Sequence, residues 1–103
     1  MKIEEQREGT KATLLLSGRL TVNDGPGALK DAAAALAASG ATHVIFDLAD
    51  VRYIDSACLG EFIASQISLS RRDARLQLAR VPDRIMELLK LSGLDGIFDI
   101  VQR

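Results

Sequence analysis

Residues 43–48 carry Val44, Ile45 and Phe46 in succession, a β-rich run too short for a helix of its own and typical of a buried strand. From Asp55 the pattern changes. Leu59, Phe62, Ile63, Gln66 and Ile67 follow a 3.6-residue period with one polar interruption, which predicts a helix to about Arg71. Over 75–80, Leu76 and Leu78 alternate with Gln77, a period of two that fits a strand with one wetter face. Strand and helix alternating in this way require parallel strands, which need long crossovers that are right-handed in nearly all folds. The second half of the chain is therefore expected to form parallel sheet with helices laid against it.

The first half supplies an edge and a first crossover. Residues 3–8 and 12–18 read as two strands joined by Glu8-Gly9-Thr10-Lys11, a short glycine-containing link of the hairpin kind. Val-Asn-Asp-Gly-Pro-Gly at 22–27 is a strong loop signal, and Leu29, Ala32, Ala33, Leu36 and Ala37 follow it at helical spacing. This predicts a helix over about 25–39, with Asp24 as N-cap and Gly40 as its left-handed stop. A third helix opens at Pro82, placed in the first turn beside Asp83. It turns Ile85, Met86, Leu88 and Leu89 inward and ends at Ser92-Gly93. Residues 98–101 offer a last short strand or an extended tail. The expected class is α/β: a mixed β-sheet with an antiparallel N-terminal hairpin and parallel central strands, packed with about three to four helices. At 103 residues, one domain over 1–103 is expected.

Composition narrows the function classes. Hydrophobic residues make up 48% and charged residues 26%, so the signature of disorder is missing. A formal charge of -1 and 4% aromatics lack the basic field and stacking rings of nucleic-acid binders, and no nucleic acid is expected as a partner. The longest apolar run, residues 32–38, is far below the roughly 18–20 residues that cross a bilayer, so no direct membrane insertion is expected. The amino terminus has no apolar core of a signal peptide, and the single cysteine, Cys58, agrees with a reducing compartment. Both point to the cytoplasm. A domain this small leaves little room for a deep cavity, which puts function on the surface.

In such sheets functional loops gather beyond the carboxyl ends of the strands, here 19–25, 48–57 and 80–83. Neither common phosphate-cradling glycine motif is present, and one histidine with one cysteine is a poor stock for a zinc site. No cofactor or metal is expected. His43 opens its strand while Cys58 follows the far end, about 20 Å away at roughly 3.3 Å per residue, too far for a nucleophile and its base. Cys58 falls in the first turn of a helix, where the dipole can lower a thiol pKa, or where a small residue simply packs. Arg71, Arg72, Arg75, Arg80 and Arg84 crowd one stretch with Asp73 and Asp83, either a solvated face or a docking patch for an acidic partner. Ser56 falls where the second helix begins. It reads as an N-cap worth about 1 kcal/mol, or as an exposed hydroxyl open to phosphorylation, which would bring roughly -1.5 to -2 charges beside Asp55.

Asp47-Leu48 followed by Val51, Ile54-Asp55-Ser56 and Leu59-Gly60 resembles the signature of the STAS domain of bacterial anti-sigma factor antagonists. Ser17-Gly18-Arg19-Leu20 and Ser92-Gly93-Leu94 fall in the family's order, so the resemblance covers the whole chain. It implies a partner switch that controls transcription indirectly: the unphosphorylated antagonist binds an anti-sigma factor that is also a serine kinase, and phosphorylation releases it. The partner carries the ATP and the catalytic machinery, so this chain is not itself an enzyme. Ser56 matches the family's phosphorylated serine, Asp55 helps to position it, and a separate phosphoserine phosphatase restores binding. Ala57, Cys58, Leu59 and Gly60, with Thr21 and Asp24 of the 20–24 loop, fall at the implied partner interface. Cys58 replaces the family's usual glycine, adding a side chain where a partner approaches; Thr21 and Asp24 also depart from the common pattern. The resemblance leaves a homodimer open. A competing reading is a non-switching STAS subunit of a signalling scaffold or lipid-transport ATPase complex, in which Ser56 is only a cap. A third, an enzyme using Cys58, ranks last.

Overall fold

The computed structural model describes residues 1–21, 23 and 27–101. In chain order these form β1 (Lys2–Glu8), β2 (Lys11–Leu20), α1 (Ala28–Ala38), β3 (His43–Ile54), α2 (Ser56–Ser70), β4 (Arg75–Ala79), α3 (Asp83–Leu91) and β5 (Asp99–Val101). Glu8 pairs with Lys11 across the two-residue turn Gly9-Thr10, where Gly9 takes φ 61°, so β1 and β2 run antiparallel. The sheet order is β1-β2-β3-β4-β5, and every neighbour pair after the hairpin is parallel. The α/β class, the mixed sheet and the three helices agree with the sequence reading, and the last short strand expected over 98–101 forms at Asp99–Val101.

Each crossover steps one strand in the same direction, and right-handed connections of that kind lay all three helices on one face. Burial follows this geometry. Leu14, Leu16, Val44, Phe46, Leu76 and Leu78 are buried beneath the helices, while Thr13, Leu15, Ile45, Gln77 and Ala79 on the opposite face are only half-buried. That opposite face is polar at one end, where His43 hydrogen-bonds Gln77 and Gln77 donates to Asp99 at 2.8 Å. In the core, Phe62 of α2 meets Phe46 at 5.3 Å and Phe98 at 6.2 Å, both edge to face.

Several boundaries differ from expectation. Strand β3 runs on to Ile54, through most of the stretch expected as loop. Its register with β2 shifts between Leu15 and Ser17 and again between Gly18 and Arg19, so β3 carries an extra residue at each step. The inward side chains accordingly fall at Phe46, Leu48, Val51 and Ile54, spaced by two and then by three. That phase change hides a strand from a period-two reading. At the first shift Asp47 is 8% exposed. It accepts from the Ala49 amide at 3.1 Å and from Arg80 Nε at 2.8 Å. Its hydrogen bond, and then its charge, raise the Arg80 guanidinium above its ordinary value. Helix α1 starts at Ala28, with Gly27 as N-cap at φ 76°, rather than near residue 25. Asp24, the expected cap, lies outside the described residues. Gly40 follows the C-cap Ser39 at φ 99°, the left-handed stop anticipated there. Pro82 is the N-cap of α3 instead of its first-turn residue.

Candidate functional site

Helix α2 begins where β3 ends, at the carboxyl edge of the sheet. Its N-cap is Asp55, not Ser56: Asp55 is extended at φ -87°, ψ 170°, and its Oδ1 accepts from the Cys58 amide at 2.8 Å. Ser56 is therefore the first helical residue, with an exposed side chain. The first four N–H groups of a helix have no acceptor within it, so the ground around Ser56 combines a hydroxyl, helix-end N–H groups and one fixed carboxylate. Asp55→Ala is expected to lower stability by about 1 kcal/mol in urea unfolding, while Asp55→Asn, which keeps an acceptor, loses much less.

The Asp55 amide also donates to the Leu20 carbonyl at 3.0 Å, and Leu20 pairs with Ile54. This ties the α2 cap to the end of β2 and sets half-buried Thr21, the next residue, beside it. Ser56, Ala57 and Gly60 share the exposed side of the first turns, and a Cβ built on Gly60 would meet nothing within 4 Å. Cys58 and Leu59 turn the other way, at 0% and 6% exposure. The expectation that Cys58 adds a side chain to a partner-facing surface is corrected: its thiol lies in the core, because positions 58, 59 and 62 form the buried stripe of α2. A thiol closed to solvent also lacks the access that reactive cysteines need. His43 is engaged with Gln77 at the other end of β3.

Glu61 was not singled out from sequence. Its carboxylate accepts from the Gly27 amide at 3.2 Å and the Lys30 amide at 3.3 Å, so a side chain of α2 caps α1 from 31 residues away. No local motif signals such a cap. Glu61→Ala is expected to cost about 1 kcal/mol, seen as a lower urea midpoint at unchanged slope, and Glu61→Gln should recover part of it.

The arginine-rich stretch is not one patch. Arg71, Arg72 and Arg75 lie at the end where β4 starts, whereas Arg80 and Arg84 follow β4, about 13 Å away at roughly 3.3 Å per residue. Arg80 is engaged by Asp47, with N–O separation 2.7 Å.

Among the described residues no helix is long and apolar enough to cross a membrane. The family model described as "Mlab, STAS domain" matches residues 3–102. The chain is 32% identical over 85 residues to the anti-sigma-B factor antagonist of Bacillus subtilis, covering 82% of this chain and 76% of that protein. It is 39% identical over 54 residues to the anti-sigma-B factor antagonist of Listeria monocytogenes, 52% of this chain, and the match spans about half of that relative's length (47%). The anti-sigma factor antagonist SpoIIAA in its unphosphorylated form superposes with a TM-score of 0.82 at 15% identity, over 99% of this chain and 88% of that one. The phosphorylated form of Bacillus SpoIIAA gives 0.76 at 16% identity, over 99% and 91%. The chain belongs to the STAS domain family. Within it, the named relatives are anti-sigma factor antagonists.

Proposed function

We propose that this chain is an anti-sigma factor antagonist whose binding is gated by phosphorylation of Ser56. The observation that carries the proposal is Ser56 itself. It is an exposed hydroxyl on the first residue of α2, flanked by the cap carboxylate Asp55 and by the open positions Ala57 and Gly60. Unphosphorylated, this end of α2, together with Thr21 and Asp24, receives an anti-sigma factor that is also a serine kinase. That partner supplies the ATP, and the chain itself performs no catalysis. Phosphorylation adds roughly -1.5 to -2 charges next to Asp55, and burying that charge against a partner costs more than a small contact returns. A phosphoserine phosphatase resets the switch, and the whole cycle operates in the cytoplasm. That SpoIIAA, of the same fold, is described in both unphosphorylated and phosphorylated forms supports this reading.

The test compares wild type, Ser56→Ala and Ser56→Glu as baits in lysate of the source cell, each with its folding verified. Capture of a kinase-type anti-sigma factor by wild type and Ser56→Ala but not by Ser56→Glu is the expected result. Equal capture of one scaffold or transporter subunit by all three would overturn the switch and leave Ser56 as a plain helix residue.

A further inference from the structure

The carboxyl edge of the sheet carries a second surface feature beside Ser56. Arg52, Tyr53 and Ile54 of β3 and Arg84, Ile85, Leu88 and Leu91 of α3 enclose an open groove of about 310 Å³, with Glu87 also on its lining. The floor is apolar, formed by buried Ile54 and Ile85 and half-buried Leu88. Tyr53 and Leu91 stand above it, 44% and 80% exposed. The rim is basic. Arg52 and Arg84 are exposed on opposite walls, and Arg19 lies over the Tyr53 ring, its guanidinium carbon 4.8 Å from the centroid. Three cations against Glu87 leave the rim positive around an apolar slot.

We infer that this groove takes an acidic amphipathic helix of the same protein partner that covers Ser56, an apolar anchor entering between Tyr53 and Leu91 with acidic flanks over Arg52 and Arg84. The inference rests on the proposed docking role of the α2 end. Only two residues separate Tyr53 from Ser56, so the two positions are at most about 11 Å apart along the chain. A standard interface covers about 800 Å² of each partner, a disc of roughly 16 Å radius, so a partner centred on Ser56 also lies over the groove. An apolar floor with a charged rim of one sign is the geometry that receives an amphipathic helix of opposite sign. The net formal charge of the whole chain is -1, so the positive sign belongs to the rim of this groove and not to the surface at large.

The test uses isotope-labelled protein and a synthetic 14-residue peptide with leucines spaced three and four apart and glutamates elsewhere, followed by amide chemical shifts. A twin peptide with lysine for every glutamate, and vesicles of phosphatidylcholine with phosphatidylglycerol, serve as comparisons. Saturable shifts confined to Tyr53, Leu88, Leu91 and their neighbours are expected with the acidic peptide alone. The half-saturation concentration should rise at least tenfold in Arg52→Glu/Arg84→Glu and in Leu91→Ser, both exposed changes that leave the spectrum dispersed. Equal response to the lysine peptide, shifts elsewhere, no shifts, or response only to vesicles would overturn the inference. Ser56→Glu should leave the peptide response unchanged. Failure of the switch therefore shows in the capture experiment alone, and failure of the groove in the titration alone.

Discussion

Replacing Phe62 with alanine is expected to destabilise the fold by about 3–5 kcal/mol. Phe62 is fully buried and is the ring that joins the other two, meeting Phe46 from β3 and Phe98 just before β5. Its removal strips the contact between α2 and two separate strand regions, and neither neighbour can close the gap without leaving its own edge-to-face geometry. Domains of this size hold only about 5–15 kcal/mol in total, so the variant should be partly unfolded or close to it at room temperature. Urea unfolding followed by circular dichroism measures the loss. Phe98→Ala, at the periphery of the same cluster with one ring contact, should lose clearly less. Equal losses at the two positions would show that Phe62 does not join the cluster as described.

The second large effect concerns binding. Phosphate on Ser56 is expected to weaken the partner complex by at least 100-fold, about 2.7 kcal/mol at 1.4 kcal/mol per tenfold. Ser56 sits among Ala57, Gly60 and the Asp55 carboxylate, so an added dianion meets a group of its own sign. A Ser56→Asp substitution carries one charge instead of nearly two and lacks the tetrahedral oxygens, so it should fall between wild type and the phosphoprotein. Ser56→Ala should bind like wild type and be blind to kinase. Because the cap is Asp55, that alanine change leaves the start of α2 intact, and loss of binding in it cannot be assigned to a frayed helix.

The order of strands and helices was legible because β2, β4 and the helices each hold one hydrophobic period over most of their length. Leu76 and Leu78 mark β4, and Leu59 and Phe62 mark the buried line of α2, which continues through Ser65 and Leu69 while Ile67, read into the same period, is 48% exposed. What escaped was set by geometry that sequence spacing does not encode. The two register shifts in β3 convert a spacing of two into three, so Leu48, Val51 and Ile54 read as loop although they are one inward row of a strand. Asp55 and Ser56 are equally good cap residues, and only the backbone decides that Asp55 takes the extended conformation and reaches the Cys58 amide. Cys58 read from sequence either as a first-turn thiol or as a small packing residue, and the rotation of α2 fixed by Leu59 and Phe62 puts it in the core. Glu61 and the groove between β3 and α3 depend on residues more than 25 positions apart, which only the tertiary arrangement brings together. Of the site residues named from sequence, Asp55 to Gly60 and Thr21 lie around one junction, where the Asp55 amide bonds the Leu20 carbonyl, while Asp24 lies outside the described residues. The division of that junction into an exposed row of Ser56, Ala57 and Gly60 and a buried row of Cys58 and Leu59 was not legible.

The most direct test of the switch is to incubate wild type and Ser56→Ala with the captured anti-sigma factor and ATP, locate any phosphate by mass spectrometry, and measure the affinity of the phosphorylated and unphosphorylated protein for the same partner. A single phosphate on Ser56, none on Ser56→Ala, and an affinity drop of 100-fold or more is the predicted result. Phosphate on another residue, or equal affinity before and after phosphorylation, would contradict it.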